Sequence, residues 1–200
     1  MFNLCKVSNS LDEHLIKELD SQGAQISSFG VGERLITASS EAVFGGVYKL
    51  AAVELPDGTI IPKIKVSENI AKITLPGVKI PWRLYDNATG KAIADVICLS
   101  HEKIDDGKPY EIFDPVHTWK RKTVTDFTAK KLQVKIMEKG QQVYTSPSVN
   151  EISSYRKQCV DNLWDEVKRF ENPHTYYVDL SEDLYALRQE LLKKAAKGEK

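Results

Sequence analysis

The chain has 200 residues, the upper end of one ordinary domain or one domain and a fraction. Lys+Arg and Asp+Glu both number 28, so no net field recruits nucleic acid or an anionic membrane. The hydrophobic fraction of 42% suffices for a core, yet no apolar run approaches the roughly 20 residues of a membrane span.

Residues 1–45 read as strand, loop, helix, strand, loop. A short apolar start reaches Val7, and Ser8-Asn9-Ser10 turns the chain into a helix. Ser10 and Glu13 have capping-box spacing, Leu11, Leu15 and Leu19 share a face, and Gly23 suits the stop. A second strand, residues 26–29, runs into Gly30-Val31-Gly32. Two strands joined by one helix should be parallel neighbours, and a lone crossover of that kind cannot cover both faces of its sheet.

Residues 46–147 are rich in hairpin signals. Segments 47–55 and 59–66 flank Pro56-Asp57-Gly58, segments 82–85 and 91–99 flank Asn87-Ala88-Thr89-Gly90, and segments 131–137 and 142–144 flank Lys139-Gly140. Residues 148–200 read as helical. Ser148 and Glu151 form a second capping box, and Ile152, Tyr155, Cys159, Leu163, Val167 and Phe170 recur at spacings of three and four before Asn172-Pro173. Ser181 caps a last helix carrying Leu184, Leu187 and Leu191, and its Lys193, Lys194 and Lys197 suit the C-terminal dipole.

The stretch Gly30-Val31-Gly32-Glu33 is the most informative for chemistry. A strand ending in Gly-x-Gly before a helical turn aims successive backbone N–H groups at one point, and such a nest binds a phosphate dianion. Ser8 and Asn9 occupy the matching place after the preceding strand, and ligands of parallel α/β folds sit at those strand ends. The plainer alternative is a tight turn at the glycines and a simple helix cap at Ser10.

Elsewhere, His117-Thr118-Trp119-Lys120-Arg121-Lys122 is a basic cluster beside an aromatic, with Lys120 and Arg121 as possible contacts to pyrophosphate or ATP. A solvated loop is the plainer reading of the two. His14 lies on a polar helix position, and His101 and His174 lie in loops without partners at metal spacing. Three scattered cysteines (Cys5, Cys98, Cys159) read as free thiols of a reducing compartment, and residues 1–10 lack the apolar core of a secretion signal. A soluble, cytoplasmic chain with no nucleic-acid or membrane partner is therefore expected.

Taken in order, Ser8-Asn9-Ser10-Leu11-Asp12-Glu13, Gly23-Ala24, Phe29-Gly30-Val31-Gly32, Gly45-Gly46-Val47-Tyr48-Lys49-Leu50, Ile61-Pro62-Lys63-Ile64-Lys65, Trp119-Lys120-Arg121-Lys122 and Glu171-Asn172-Pro173-His174 resemble consecutive motifs of bacterial nicotinate phosphoribosyltransferases. The resemblance implies an α/β fold: the last strands of an irregular, type II phosphoribosyltransferase-like α/β barrel, followed by a hairpin-rich region and C-terminal helices. It implies formation of nicotinate mononucleotide from nicotinate and phosphoribosyl pyrophosphate with ATP hydrolysis, in NAD biosynthesis. Ser8 and Asn9 then match a loop near the ribose, and Gly30, Val31, Gly32 and Glu33 match the loop around the 5′-phosphate. Glu33 stands where many relatives have Thr, so its backbone N–H should face the phosphate while its carboxylate turns away, toward Arg34. Mg²⁺ and ATP are implied for the whole enzyme, and no catalytic or metal residue for this chain. The base-binding residues and the ATP-phosphorylated histidine of the family precede this region. The chain is therefore expected to need that N-terminal part, to be inactive alone and to form a homo-oligomer. The competing expectation, from the hairpin-dense middle, is a non-catalytic β-rich binding or assembly module.

Overall fold

A computed structural model describes residues 4–43 and 45–198. The chain divides into two compact units, Met1–Tyr48 and Lys49–Lys200. In the first, β1 (Lys6–Ser8), α1 (Glu13–Ser21) and β2 (Ser28–Gly30) make a crossover whose strands pair in parallel, with Val7 opposite Phe29 and Ser8 opposite Gly30. Residues 1–3 of the expected first strand lie outside the described residues. The cap of α1 is Asp12, not Ser10: its Oδ1 accepts the Leu15 N–H at 2.8 Å, while Ser10 sits in the left-handed region at φ 48°. Gly23, at φ 75°, closes the helix by donating to Asp20 O (2.9 Å) as Ala24 N–H reaches Leu19 O (3.1 Å). A single short turn of helix, α2 (Glu33–Ile36), follows β2.

The second unit opens with an antiparallel pair, β3 (Ala52–Glu54) and β4 (Ile60–Pro62), around a turn in which Gly58 takes φ 83° and Asp57 Oδ1 accepts the Thr59 N–H at 2.9 Å. Its main sheet is built on β5 (Lys79–Asp86) and β6 (Ala92–Leu99), long antiparallel neighbours. Next come β7 (Tyr110–Phe113) and β8 (Arg121–Val124), a separate antiparallel pair absent from the sequence pattern, and β9 (Phe127–Lys131), which adds to β5. Strand β9 stops at Lys131, although Leu132, Val134 and Ile136 alternate beyond it. Pro81, the next residue of β5 in line, accepts from Leu132 N–H at 3.0 Å but has no N–H to return. A two-residue pair, β10 (Met137–Glu138) and β11 (Gln141–Gln142), turns at Lys139-Gly140. After α3 (Val149–Asp161), β12 (Val178–Leu180) joins β6 in parallel, giving the order β12-β6-β5-β9, and α4 (Glu182–Ala196) ends the unit.

Strand periodicity places the core. Trp82 and Leu84 of β5 and Ala94, Val96 and Cys98 of β6 face one side, where Ile104, Ile112, Val124 and Phe127 complete the cluster. Complete burial of Leu84 or Val96 stabilises by roughly 1.5–3 kcal/mol each. A second cluster holds Leu99 and Leu180 against Leu184 of α4. Ser181 caps α4, and Ser148 and Glu151 form a reciprocal capping box on α3. The apolar stripe after Ser148 continues to Phe170, but α3 ends at Asp161. Lys91 Nζ donates to Asp161 O (2.7 Å) and Leu163 O (3.2 Å), and Ala92 N–H takes Asn162 O (2.8 Å), so the start of β6 captures the carbonyls a longer helix would use. No described helix is long and apolar enough to cross a membrane.

Candidate functional site

The loops that follow β1 and β2 lie side by side because those strands are parallel neighbours. Ser8 and Gly30 are direct partners in the register, and Ser8 Oγ–H donates to Gly30 O at 3.4 Å. A Cβ on Gly30 would lie 3.1 Å from Ser8 Oγ and 3.2 Å from Ser8 Cβ, so a side chain there would push Ser8 away by a few tenths of an ångström. Gly32 meets nothing within 4 Å in the direction of a Cβ. It is the N-cap of α2 without a side-chain cap, and the first helical bonds run from Leu35 and Ile36 N–H to Gly32 O. The amides of Glu33 and Arg34 therefore precede the first available helical acceptor.

The first loop holds two consecutive left-handed residues, Asn9 at φ 104° and Ser10 at φ 48°. Such residues cost of order 1–3 kcal/mol each and persist only where their surroundings hold them. Asp12 supplies part of that hold. Its carboxylate accepts from Leu15 N–H and forms an ion pair with Arg34, which ties the loop after β1 to the turn after β2. Arg34 thus pairs with Asp12 and not, as the sequence suggested, with Glu33. Bonding to Leu15 N–H and the Arg34 charge together hold the Asp12 carboxyl below its ordinary range. The structure brings Ser8 and Gly30 together, with Asn9 following the first and Val31, Gly32 and Glu33 following the second along the chain, and adds the Asp12–Arg34 pair, which sequence reasoning missed. Their separation of 22 residues left no local signal.

Lys120 and Arg121 belong to the second unit. The basic cluster is not one solvated loop, since Arg121 and Lys122 begin β8. Arg121 is held by Glu111 and by Glu182 (2.6 Å) and lies over the Phe113 ring at 4.7 Å. His117 Nδ1 pairs with Asp114 Oδ2 at 2.9 Å, and the His117 and Val116 N–H groups also reach that carboxylate, holding its pKa down at about 2. Cys98 is buried, and burial pushes its thiol up to about 12, which makes it a core residue and not a nucleophile. Among the described residues, no group of three or more His, Cys, Asp or Glu can hold a metal. Both oxygens of Asp12 are engaged, one by the Leu15 N–H and the other by Arg34.

Asp179 was not legible as special, yet it is 4% exposed and its carboxylate takes part in no hydrogen bond among the described residues. Burial, aided by the nearby Asp114 charge, pushes its pKa up to about 6 from the ordinary 3.8. The folded state thus holds this proton more tightly than the unfolded chain does. That contribution to stability is complete below the ordinary value and is lost as pH rises through about 6. Asp179→Asn should therefore raise the melting temperature at about pH 7.5, by on the order of 2 kcal/mol or several degrees, and leave it unchanged at about pH 3.5. Thermal denaturation at the two pH values checks this, and an equal shift at both would contradict it.

With this geometry in place, comparison with known proteins identifies the chain. The nicotinate phosphoribosyltransferase C-terminal domain model matches residues 78–188. The nicotinate phosphoribosyltransferase of Bacillus subtilis is 42% identical over 179 residues, covering 90% of this chain and 36% of that protein. Its Dictyostelium discoideum counterpart is 32% identical over 186 residues, covering 89% of this chain and 31% of its own length. The crystal structure of human nicotinic acid phosphoribosyltransferase superposes with a TM-score of 0.69 at 26% identity, over 94% of this chain and 33% of the human one. The matched segments make this a mixed α/β chain from a family of phosphoribosyl-transferring enzymes. It belongs to the nicotinate phosphoribosyltransferase family and spans about a third of the length of the relatives it matches.

Proposed function

We propose that this chain is the C-terminal part of a nicotinate phosphoribosyltransferase and that its first unit holds the ribose 5-phosphate end of the substrate. The observation that carries the reading is the pairing of the two loops at the ends of parallel strands, joined by the Ser8–Gly30 bond and the Asp12–Arg34 ion pair. In this reading β1 and β2 are the last strands of the barrel, and the complete enzyme forms nicotinate mononucleotide in the cytoplasm, as a homo-oligomer, with ATP hydrolysis improving turnover. Ser8 and Asn9 face the ribose. The backbone amides of Gly30, Val31, Gly32 and Glu33 receive the 5′-phosphate, with the Glu33 carboxylate directed away. Arg34, neutralised by Asp12, positions the turn and does not itself bind phosphate.

The chemistry is displacement of pyrophosphate from an anomeric carbon through a transition state with oxocarbenium character. Holding the phosphate end fixes that carbon relative to the incoming base. Such positioning accounts for much of the rate where no protein nucleophile acts. Open space at the missing Cβ of Gly32 suits the test, because a Cβ there meets no protein atom within 4 Å. With the N-terminal part restored, Gly32→Val is expected to weaken phosphoribosyl pyrophosphate binding at least about tenfold, or about 1.4 kcal/mol. Unchanged affinity in a variant with an intact circular dichroism spectrum would sink the reading.

A further inference from the structure

In the second unit a cavity of about 410 Å³ opens beside β12 and the β7–β8 pair, with Asp179, Asp114, Tyr177 and the basic stretch Lys120-Arg121-Lys122 on its walls. A volume of this size falls within the range, roughly 300–1,000 Å³, that takes small ligands. Most charged groups around it already have partners. Asp114 is held by His117 and by the Val116 amide, and Arg121 by Glu111 and Glu182. Asp179 is 4% exposed and its carboxylate has no hydrogen-bond donor among the described residues, Lys120 forms no ion pair among them, and Lys122 feels only the longer-range charge of Asp86. Neither lysine forms an ion pair with Asp179 among the described residues, and half-exposed Tyr177 contributes an aromatic surface to the same cavity.

A buried carboxylate without a donor is costly, and a ligand that supplies N–H groups removes that cost. The same ligand must carry an anion to meet the two lysines, and must be long enough to reach both. A flat ring between the two ends suits Tyr177. We propose that this cavity binds a nucleoside monophosphate whose base carries an amino group, with the base N–H groups on Asp179 and the phosphate on Lys120 and Lys122. The site lies wholly within the second unit and does not depend on the phosphate loops after β1 and β2.

Isothermal titration calorimetry of the full chain with adenosine monophosphate tests this, with adenosine and inorganic phosphate as the two halves of the probe. One binding site in the second unit that persists in Gly32→Val is expected, apart from any phosphate contact made by the loops of the first unit. Asp179→Ala and Asp179→Asn should both weaken the nucleotide and adenosine at least about tenfold, and the Asn variant should fold at least as stably as the parent. The Lys120→Ala/Lys122→Ala double variant should weaken the nucleotide by a similar factor and leave adenosine unchanged. Gly32→Val should leave nucleotide affinity unchanged. The proposal is overturned if the folded chain takes up no nucleotide at millimolar concentration, if the Asp179 and lysine variants bind as the parent does, or if Gly32→Val abolishes binding.

Discussion

Purified as the 200-residue polypeptide, the chain is expected to form no detectable nicotinate mononucleotide from nicotinate, phosphoribosyl pyrophosphate and ATP. The proposed loops hold one end of one substrate. They leave unsupplied the orientation of the base relative to the anomeric carbon, where effective molarities are worth roughly 7–11 kcal/mol. Losing even half of that slows turnover by about three orders of magnitude. About two-thirds of the relatives' length lies outside the matched segment, since the match covers 36% of the Bacillus subtilis protein and 33% of the human chain. Co-expression with the corresponding N-terminal region of a relative is expected to restore product formation, read by chromatography of the nucleotide. Turnover by the 200 residues alone at an ordinary enzymatic rate would show that the chain assembles a complete site, and the fragment reading would fall.

Features written in a few adjacent residues were legible from the sequence. Gly23, Gly58, Gly90 and Gly140 were all read as turn or stop residues, and all take positive φ. Ser148 and Glu151 satisfy each other within one turn, so the cap needs no tertiary context. The parallel pairing of the first two strands, and so the adjacency of the loops after them, was legible because a strand–helix–strand pattern dictates it. What stayed hidden depends on distant partners. Asp12 takes over the cap from Ser10 and is fixed by Arg34, and Lys91 ends α3 from 70 residues away. Residues 110–113 and 121–124 pair with each other although Lys, Arg and Glu interrupt their alternation, because only Ile112, Phe113 and Val124 among them are buried. Nor does any pattern along the chain mark Asp179, whose character comes from enclosure and from its neighbour Asp114.

The largest stability effect is expected at Asp95, 9% exposed in the middle of β6. Its carboxylate receives Arg83 Nε at 2.7 Å and Nη2 at 2.9 Å, a bidentate pair across directly opposed residues of β5 and β6. The Tyr176 hydroxyl donates to Oδ1 at 2.9 Å, and the Arg83 guanidinium lies 5.6 Å from the centre of the Tyr176 ring. These bonds raise the pKa of Arg83 further above its ordinary value, and burial raises that of Tyr176, so Arg83 stays charged and Tyr176 neutral at any ordinary pH. Asp95 therefore fixes two β strands and the segment that leads into β12. Asp95→Ala leaves a half-buried guanidinium and a hydroxyl without their acceptor, a loss of about 3 kcal/mol and roughly 6–12 °C in melting temperature. Replacing both ends of the pair should cost less, since Arg83→Met with Asp95→Leu strands no charge and restores apolar packing. Urea denaturation of Arg83→Met, Asp95→Leu and the double variant closes the cycle, with Asp95→Ala measured beside them. A double variant no more stable than Asp95→Ala would mean that the lost charge pair is not what destabilises the sheet.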